Sequence, residues 1–323
     1  MVQKRKRSKR FLFSGIVILL IMTLALAGCS GDKKKEAASA EGDKKINIVT
    51  TIAQIAEPIS IIGGEYVQVE SLMGPGVDPH LYKATQGDIK KLEGSDIVLY
   101  SGLNLEGNMT EAFENISKKK TVSAISESIS EDQLLNDENG AIDPHVWFDI
   151  ELWKTALEEA TATLKEYAPD HADDFEKNKK DYFVKLDELL EESKSKLAEI
   201  PKEKRVLVTA HDAFGYFGRA YDIDVVGLQG LSTEDEIGIS DIDDTIEIIM
   251  EHKVPSVFVE SSVNQNSIKA VIEGAKKKGL DIQLGGELYS DAMGNEGTEE
   301  GTYIGMYRYN VKTIYEALQG VEE

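Results

Sequence analysis

Ile97-Val98-Leu99-Tyr100-Ser101-Gly102-Leu103-Asn104 and Val257-Phe258-Val259-Glu260-Ser261-Ser262-Val263-Asn264 are the stretches whose reading decides the fold. Each is a short apolar run followed by small and polar residues, the pattern of a strand buried on both faces and ended by a turn. They lie 160 residues apart. Two further strand-like runs, Ile46-Asn47-Ile48-Val49-Thr50-Thr51 and Val206-Leu207-Val208-Thr209-Ala210, open the two halves and align at an offset of 159. A near-constant offset across more than one element reads as an internal repeat. Each half is expected to run strand, helix, strand, helix, strand, with helical segments such as 87–92 and 240–251, the latter capped by Ser240. Apolar strands alternating with helices give parallel sheets covered on both faces. The fold class is therefore α/β, with two lobes.

A helical stretch lies between the halves. Trp153, Leu157, Ala160, Leu164 and Tyr167 fall on one helix face. Ala168-Pro169 breaks it. Asp170 is expected to cap a second helix, with Asp173, Asp174 and Glu176 at the positive end of its dipole. Phe175, Tyr182, Phe183, Leu186, Leu190 and Leu197 trace its apolar stripe, and Pro201 ends it. From 170 to 200 the segment would span about 45 Å if fully helical, enough to run along both lobes. A hairpin broken near Glu191-Glu192-Ser193 is the alternative.

The chain has five histidines. His80 and His145 each close an Asp-Pro-His triplet, Asp78-Pro79-His80 and Asp143-Pro144-His145, and His211 follows the run that opens the second half. Their spacings are 65 and 66 residues, so they meet only in a folded cleft. Neutral imidazole is the commonest protein ligand for transition metals. Proline fixes its own φ and restricts the aspartate before it, so each histidine leaves a defined turn. Asp78 and Asp143 read as turn formers or supports behind the histidines. A carboxylate from the second half would offset the metal's charge. Asp291, Glu260 and Asp212 compete for that place, and spacing does not choose among them. His171 and His252 read as surface groups, the run Glu296, Glu299 and Glu300 as a solvated loop, and Trp147 and Phe148 as core or cleft wall.

The N-terminus is basic (Lys4, Arg5, Lys6, Arg7, Lys9, Arg10) and then apolar from Phe11 to Gly28, the pattern of an export signal. Leu26-Ala27-Gly28-Cys29 resembles a bacterial lipobox, which implies cleavage before Cys29 and lipidation of its thiol. Cys29 is the only cysteine in the sequence, so an intrachain disulfide is excluded. Residues 29–45 carry no large apolar side chain and read as a flexible tether. The full chain carries a net charge of −22, and loss of residues 1–28 removes six basic residues and no acid, leaving −28. That charge disfavours nucleic acid as a partner and attracts cations.

At Gly74 to Tyr100, Asp143 to Trp153, Val206 to Phe217, Gly227 to Ser232 and Tyr289 to Gly294, the chain resembles the metal-binding lipoproteins that serve ABC importers for manganese or zinc. The resemblance is strongest to the Bacillus-type manganese-binding lipoproteins. It implies a ligand set of His80, His145, His211 and Asp291, thus selecting Asp291 over its two rivals. It also implies two α/β lobes (46–168 and 202–323) joined by one long helix (169–201), a divalent ion in the cleft, and delivery to an ABC permease by a monomer anchored through Cys29 on the outer face of the cell membrane. Some members carry glutamate at the third ligand; here it is His211. The segment 128–140 lacks the histidine-rich loop common in zinc-dedicated members, which favours Mn2+. At a nitrogen and oxygen site Zn2+ nonetheless binds more tightly than Mn2+, so zinc remains the alternative. A zinc-dependent hydrolase, with an open metal position activating water, and a surface adhesin are the rival functions.

Overall fold

The computed structural model describes residues 44–319. The expected export signal, Cys29 and all of the expected tether except Lys44 and Lys45 lie outside the described residues.

The first lobe is a four-stranded parallel sheet. Its strands are β1 (Ile46–Thr50), β2 (Val67–Ser71), β3 (Ile97–Tyr100) and β4 (Thr121–Ala124), in the order β2-β1-β3-β4. Helices α1 (Ala53–Gly63), α2 (Gln86–Gly94) and α3 (Thr110–Ser117) make the crossovers. The segment expected at 87–92 is thus part of a longer helix. Thr85 caps it, accepting from Asp88 N at 3.2 Å while the Asp88 carboxylate accepts from Thr85 N at 2.8 Å. Strand order reverses between β1 and β3, and open parallel sheets bind ligands beyond the carboxyl ends of such strands.

The second lobe repeats the strand–helix alternation but not the continuous sheet. β5 (Val206–His211) pairs with β6 (Asp224–Gln229), and β7 (Ser256–Glu260) pairs with β8 (Gln283–Leu288), both parallel. β5 packs beside β7 without an assigned ladder between them. Helices α6 (Gly215–Tyr221), α7 (Ile239–His252) and α8 (Asn266–Lys277) connect these strands. Ser240 does not cap α7. Gly238 occupies that position, and the Asp241 carboxylate accepts its N–H at 2.7 Å.

Between the lobes, α4 (Ile150–Tyr167) is capped by Asp149, which accepts from Glu151 N and Leu152 N. A 3-10 turn at Pro169–His171 follows, and then α5 (Ala172–Leu197) runs unbroken for 26 residues, about 39 Å. The hairpin alternative is excluded. Asp170 sits inside the 3-10 turn and does not cap, because Pro169 starts that turn one residue earlier. His171 is half-buried rather than a solvated surface group: its ring stacks on Tyr66 with centroids 3.9 Å apart. α5 packs against α1, α4 and, from the second half, α9 (Tyr303–Gln319).

Burial shows how tightly the halves are joined. One apolar cluster fills the first lobe and continues through Phe148, Phe214, Phe217, Tyr303 and Tyr307 into the second. A smaller cluster covers the far side of the second lobe. β5 serves both through its two-residue period: Val206, Val208 and Ala210 enter the smaller cluster, while Leu207 enters the larger one. β7 does the same with Val257 and Val259 against Phe258. His211 and Glu260 share the parity of Leu207 and Phe258, so both end their strands facing the first lobe. Among the described residues no helix is long and apolar enough to cross a membrane.

Candidate metal centre

Each Asp-Pro-His triplet makes a closed turn. Asp78 Oδ1 accepts from His80 N at 2.8 Å and from Leu81 N at 3.4 Å. Asp143 Oδ1 accepts from His145 N at 2.9 Å and also faces His145 Nδ1 at 2.7 Å. The aspartates therefore hold the histidines from behind. Asp143 also directs the ring, because a proton kept on Nδ1 leaves the Nε2 lone pair free. His80 lies in the loop after β2, His145 before α4, His211 at the end of β5 and Asp291 in the loop after β8. The Gln54 side chain fixes that last loop by donating to Ser290 O at 3.2 Å.

These side chains converge. One ligand atom from each of His80, His145, His211 and Asp291 lies within 4.8 Å of all the others. His80 Nε2 is 3.3 Å from His145 Nε2. Asp291 Oδ1 is 3.3 Å from His145 Nε2, and Oδ2 is 3.3 Å from His211 Nε2 and 3.9 Å from His80 Nε2. All four residues are buried, His80 most exposed at 4 %. Both Asp291 oxygens and His211 Nε2 are buried without a hydrogen-bond partner. Orphaned buried polar atoms are rare and costly. Two carboxylate oxygens among three imidazole nitrogens form a donor set suited to one divalent cation.

Of the rival carboxylates, Glu260 stands behind the site. Its Oε1 accepts from His211 N at 2.9 Å, and its Oε2 lies 2.5 Å from His211 Nδ1 at ion-pair distance. Glu260 thus supports His211 much as Asp143 supports His145. Asp212, His171 and His252 are not among the converging groups.

The four groups hold unequal charge in the absence of a cation. Burial, with His145 and His211 close by, pushes His80 down to about 3 against the pull of Asp291. Burial also opposes charge on His145, but Asp143 and Asp291 outweigh it and hold the ring up to about 9. His211 is likewise held well above the ordinary histidine range, where Glu260 and Asp291 overcome burial. Burial acts against the Asp291 carboxylate, yet His211, His145 and His80 keep it well below the usual range.

The lobe interface beside His145 is closely packed. Tyr216 Oη donates to Asp143 O at 2.9 Å and accepts from Leu135 N at 3.1 Å. Tyr303 Oη donates to Trp147 O at 2.6 Å, Tyr307 Oη donates to Phe148 O at 2.8 Å, and Phe148 stacks on Phe214 at 4.5 Å. A Cβ at Gly215 would come within 2.8 Å of Asp143 Oδ2, so the close approach of α6 requires glycine there. Trp147 and Phe148 are core, as their sequence context indicated.

Comparison with known proteins places these features in a family context. Residues 48–317 match the family model described as zinc-uptake complex component A, periplasmic (ZnuA). The manganese-binding lipoprotein MntA of Bacillus subtilis (strain 168) is 49% identical over 302 residues, covering 93% of this chain and 97% of that protein. The zinc-binding protein TroA of Treponema pallidum (strain Nichols) is 43% identical over 279 residues, covering 86% and 91% respectively. The solved structure of the periplasmic zinc-binding protein TroA from Treponema pallidum superposes with a TM-score of 0.84 at 43% identity, covering 86% of this chain and 100% of that one.

Proposed function

We infer the function from the premise that the chain belongs to the ZnuA family, the zinc-uptake complex component A. It is a metal-binding substrate-binding protein of an ABC importer, and its relatives at family level are solute-binding proteins rather than enzymes. His80, His145, His211 and Asp291 are the ligands of one divalent metal ion, which is the cargo and is not consumed. The observation that carries this reading is the convergence of the buried Asp291 carboxylate and three buried imidazoles within 4.8 Å, with no hydrogen bond made by either Asp291 oxygen. With Asp291 bidentate the ion is five-coordinate, leaving little room for water. That arrangement suits capture and hand-over rather than hydrolysis.

Manganese is the proposed physiological cargo. Similarity to a manganese-binding lipoprotein over nearly the whole chain supports it, and similarity to a zinc-binding protein keeps zinc as the alternative. Affinity alone does not decide, because zinc outcompetes manganese at such donors. The protein acts as a monomer at the outer face of the cell membrane, cleaved after residue 28, lipidated on Cys29 and joined to the folded part by the tether through residue 45. The folded part comprises lobes at 46–168 and 202–323 linked by 169–201, and the partner that receives the ion is an ABC permease. Several similar proteins are named as lipoproteins, which supports the anchor.

Metal titration of His80→Ala and His211→Ala tests the ligand set. Both variants are expected to lose stoichiometric binding; unchanged affinity in both refutes the site. Manganese and zinc uptake by a strain lacking the protein, in metal-limited medium, tests the cargo.

A further inference from the structure

The two sides of the metal centre are held together differently. Beside His145 the contact is buried and aromatic, with Tyr216 at 0% exposure. Beside His80 it is a polar contact with an exposed rim, made by the loop 230–238 of the second lobe. Thr233 Oγ1 donates to Asp78 Oδ2 at 2.6 Å, and Asp78 is the residue whose other oxygen holds His80 N. Asn108 Nδ2 donates to His80 O at 2.7 Å and to Glu234 Oε1 at 2.9 Å. Both contacts therefore end on the turn that carries His80.

The loop's other end is tied to a second proposed ligand. Gln229 is the β6 residue in register with His211. Its Nε2 donates to Thr233 O at 2.8 Å and also to Asp235 O, while its carbonyl accepts from Asp212 N at 3.0 Å. A continuous polar path thus runs from the strand end at His211, through Gln229 and Thr233, to the turn at His80. Asn108 and Glu234 form its exposed outer edge.

We propose that Thr233 and Asn108 are positioning residues for His80, forming with Glu234 a clasp that sets how long the metal stays bound. This rests on the ligand assignment above. The clasp contacts no ligand atom, so it acts by keeping the His80 turn against the second lobe. Its hydrogen bonds lie at the half-exposed and exposed edge, where water can replace them. The His145 side is sealed by core packing. Opening therefore begins at His80, while His145, His211 and Asp291 keep their arrangement.

The test measures zinc dissociation into excess chelating dye, and zinc association, by stopped flow on the full chain. The double variant Thr233→Val, Asn108→Ala is expected to release zinc at least about tenfold faster, the effect of losing three hydrogen bonds at the low end of their net worth. Its association rate should stay within about twofold, because affinity differences among variants of one interface fall mostly on dissociation. Thr233→Ser, which keeps the hydroxyl, should release at the unmodified rate. Tyr307→Phe, on the sealed side and away from the Asp143 turn, should lower the melting temperature of the metal-free protein without speeding release. A dissociation rate unchanged in the double variant, or not preserved by Thr233→Ser, overturns the clasp. Absence of stoichiometric zinc binding by the unmodified chain overturns the ligand assignment, and the clasp with it.

Discussion

Replacing Glu260 by glutamine isolates the contribution of a carboxylate that touches no cation. Glu260 is 1% exposed, faces His211 Nδ1 at 2.5 Å and accepts the His211 backbone N–H at 2.9 Å. Metal coordination needs the His211 proton on Nδ1 and the lone pair on Nε2. A carboxylate can only accept when ionised, so it enforces that tautomer and makes the ring more basic. Glutamine keeps the shape and one acceptor, which the His211 backbone N–H already engages. The amide NH2 then falls opposite Nδ1 and donates to it, favouring the tautomer with its proton on Nε2, where the cation should sit. Loss of such a support typically weakens binding by 10- to 100-fold, about 1.4 to 2.7 kcal/mol. Chelator competition on purified Glu260→Gln should show that loss with the stoichiometry kept at one ion. Glu260→Asp should recover part of it by restoring an acceptor of one sign. Affinity within about twofold of the unmodified chain in Glu260→Gln would refute the argument that tautomer control acts through this residue.

Three further outcomes follow from the same geometry. His145 is held up to about 9 and His211 well above its ordinary value in the absence of a cation, so both are protonated near neutrality. Cation binding must expel those protons: affinity rises with pH through neutrality, and calorimetry in buffers of different ionisation enthalpy should find about two protons released at neutral pH. A pH-independent affinity there counts against the couplings to Asp143, Glu260 and Asp291. Burial raises the Glu106 carboxyl, although Thr51 Oγ1, Ser101 N and Gly102 N donate to it. A raised acid favours the fold below the unfolded value and loses that contribution as pH rises through the folded value, so Glu106→Gln should flatten this loss in urea unfolding. The same variant should cost about 1–3 kcal/mol at acid pH, because an amide cannot accept from all three donors. Tyr307→Phe removes the bond to Phe148 O and the contact with Tyr221 Oη, and should cost about 1–2 kcal/mol of unfolding free energy while leaving metal stoichiometry intact.

The sequence made the strands and the histidines legible because both depend on local chemistry. Apolar runs such as Ile97-Val98-Leu99-Tyr100 bury both faces whatever their neighbours, and Asp-Pro-His builds its own turn. Capping was less legible. Ser240 is a good capping residue by type, yet Gly238 takes the position because Asp241 is placed to accept its N–H. The dual role of Glu260 was hidden for a different reason. It and His211 are 49 residues apart, and only the neighbouring placement of β5 and β7 brings them together. Their shared parity at strand ends was a usable signal. The clasp had none, since Thr233 and Asp78 are separated by 155 residues and neither lies in a patterned element. Ser101-Gly102-Leu103-Asn104, read as a plain turn, carries three positive φ angles of 83, 52 and 67°. Leucine is a poor residue for that region, and the turn is stabilised by its closure around the buried Glu106.

The repeat that reveals the fold repeats only half of the site. In the first lobe the histidines come from segments following the outer strands β2 and β4. In the second, His211 is the last residue of a strand, and Asp291 follows the strand paired with β7. His145 and Asp291 thus follow the fourth strands of their lobes, whereas His80 follows a second strand and His211 ends a first one. Neither lobe alone gathers more than two of the four groups. Their convergence to within 4.8 Å therefore depends on the shared core through Phe148, Phe214 and Tyr307 as much as on the four residues themselves. That core lies on the His145 side, which is why the proposed clasp puts exchange of the ion on the His80 side, where polar contacts replace packing.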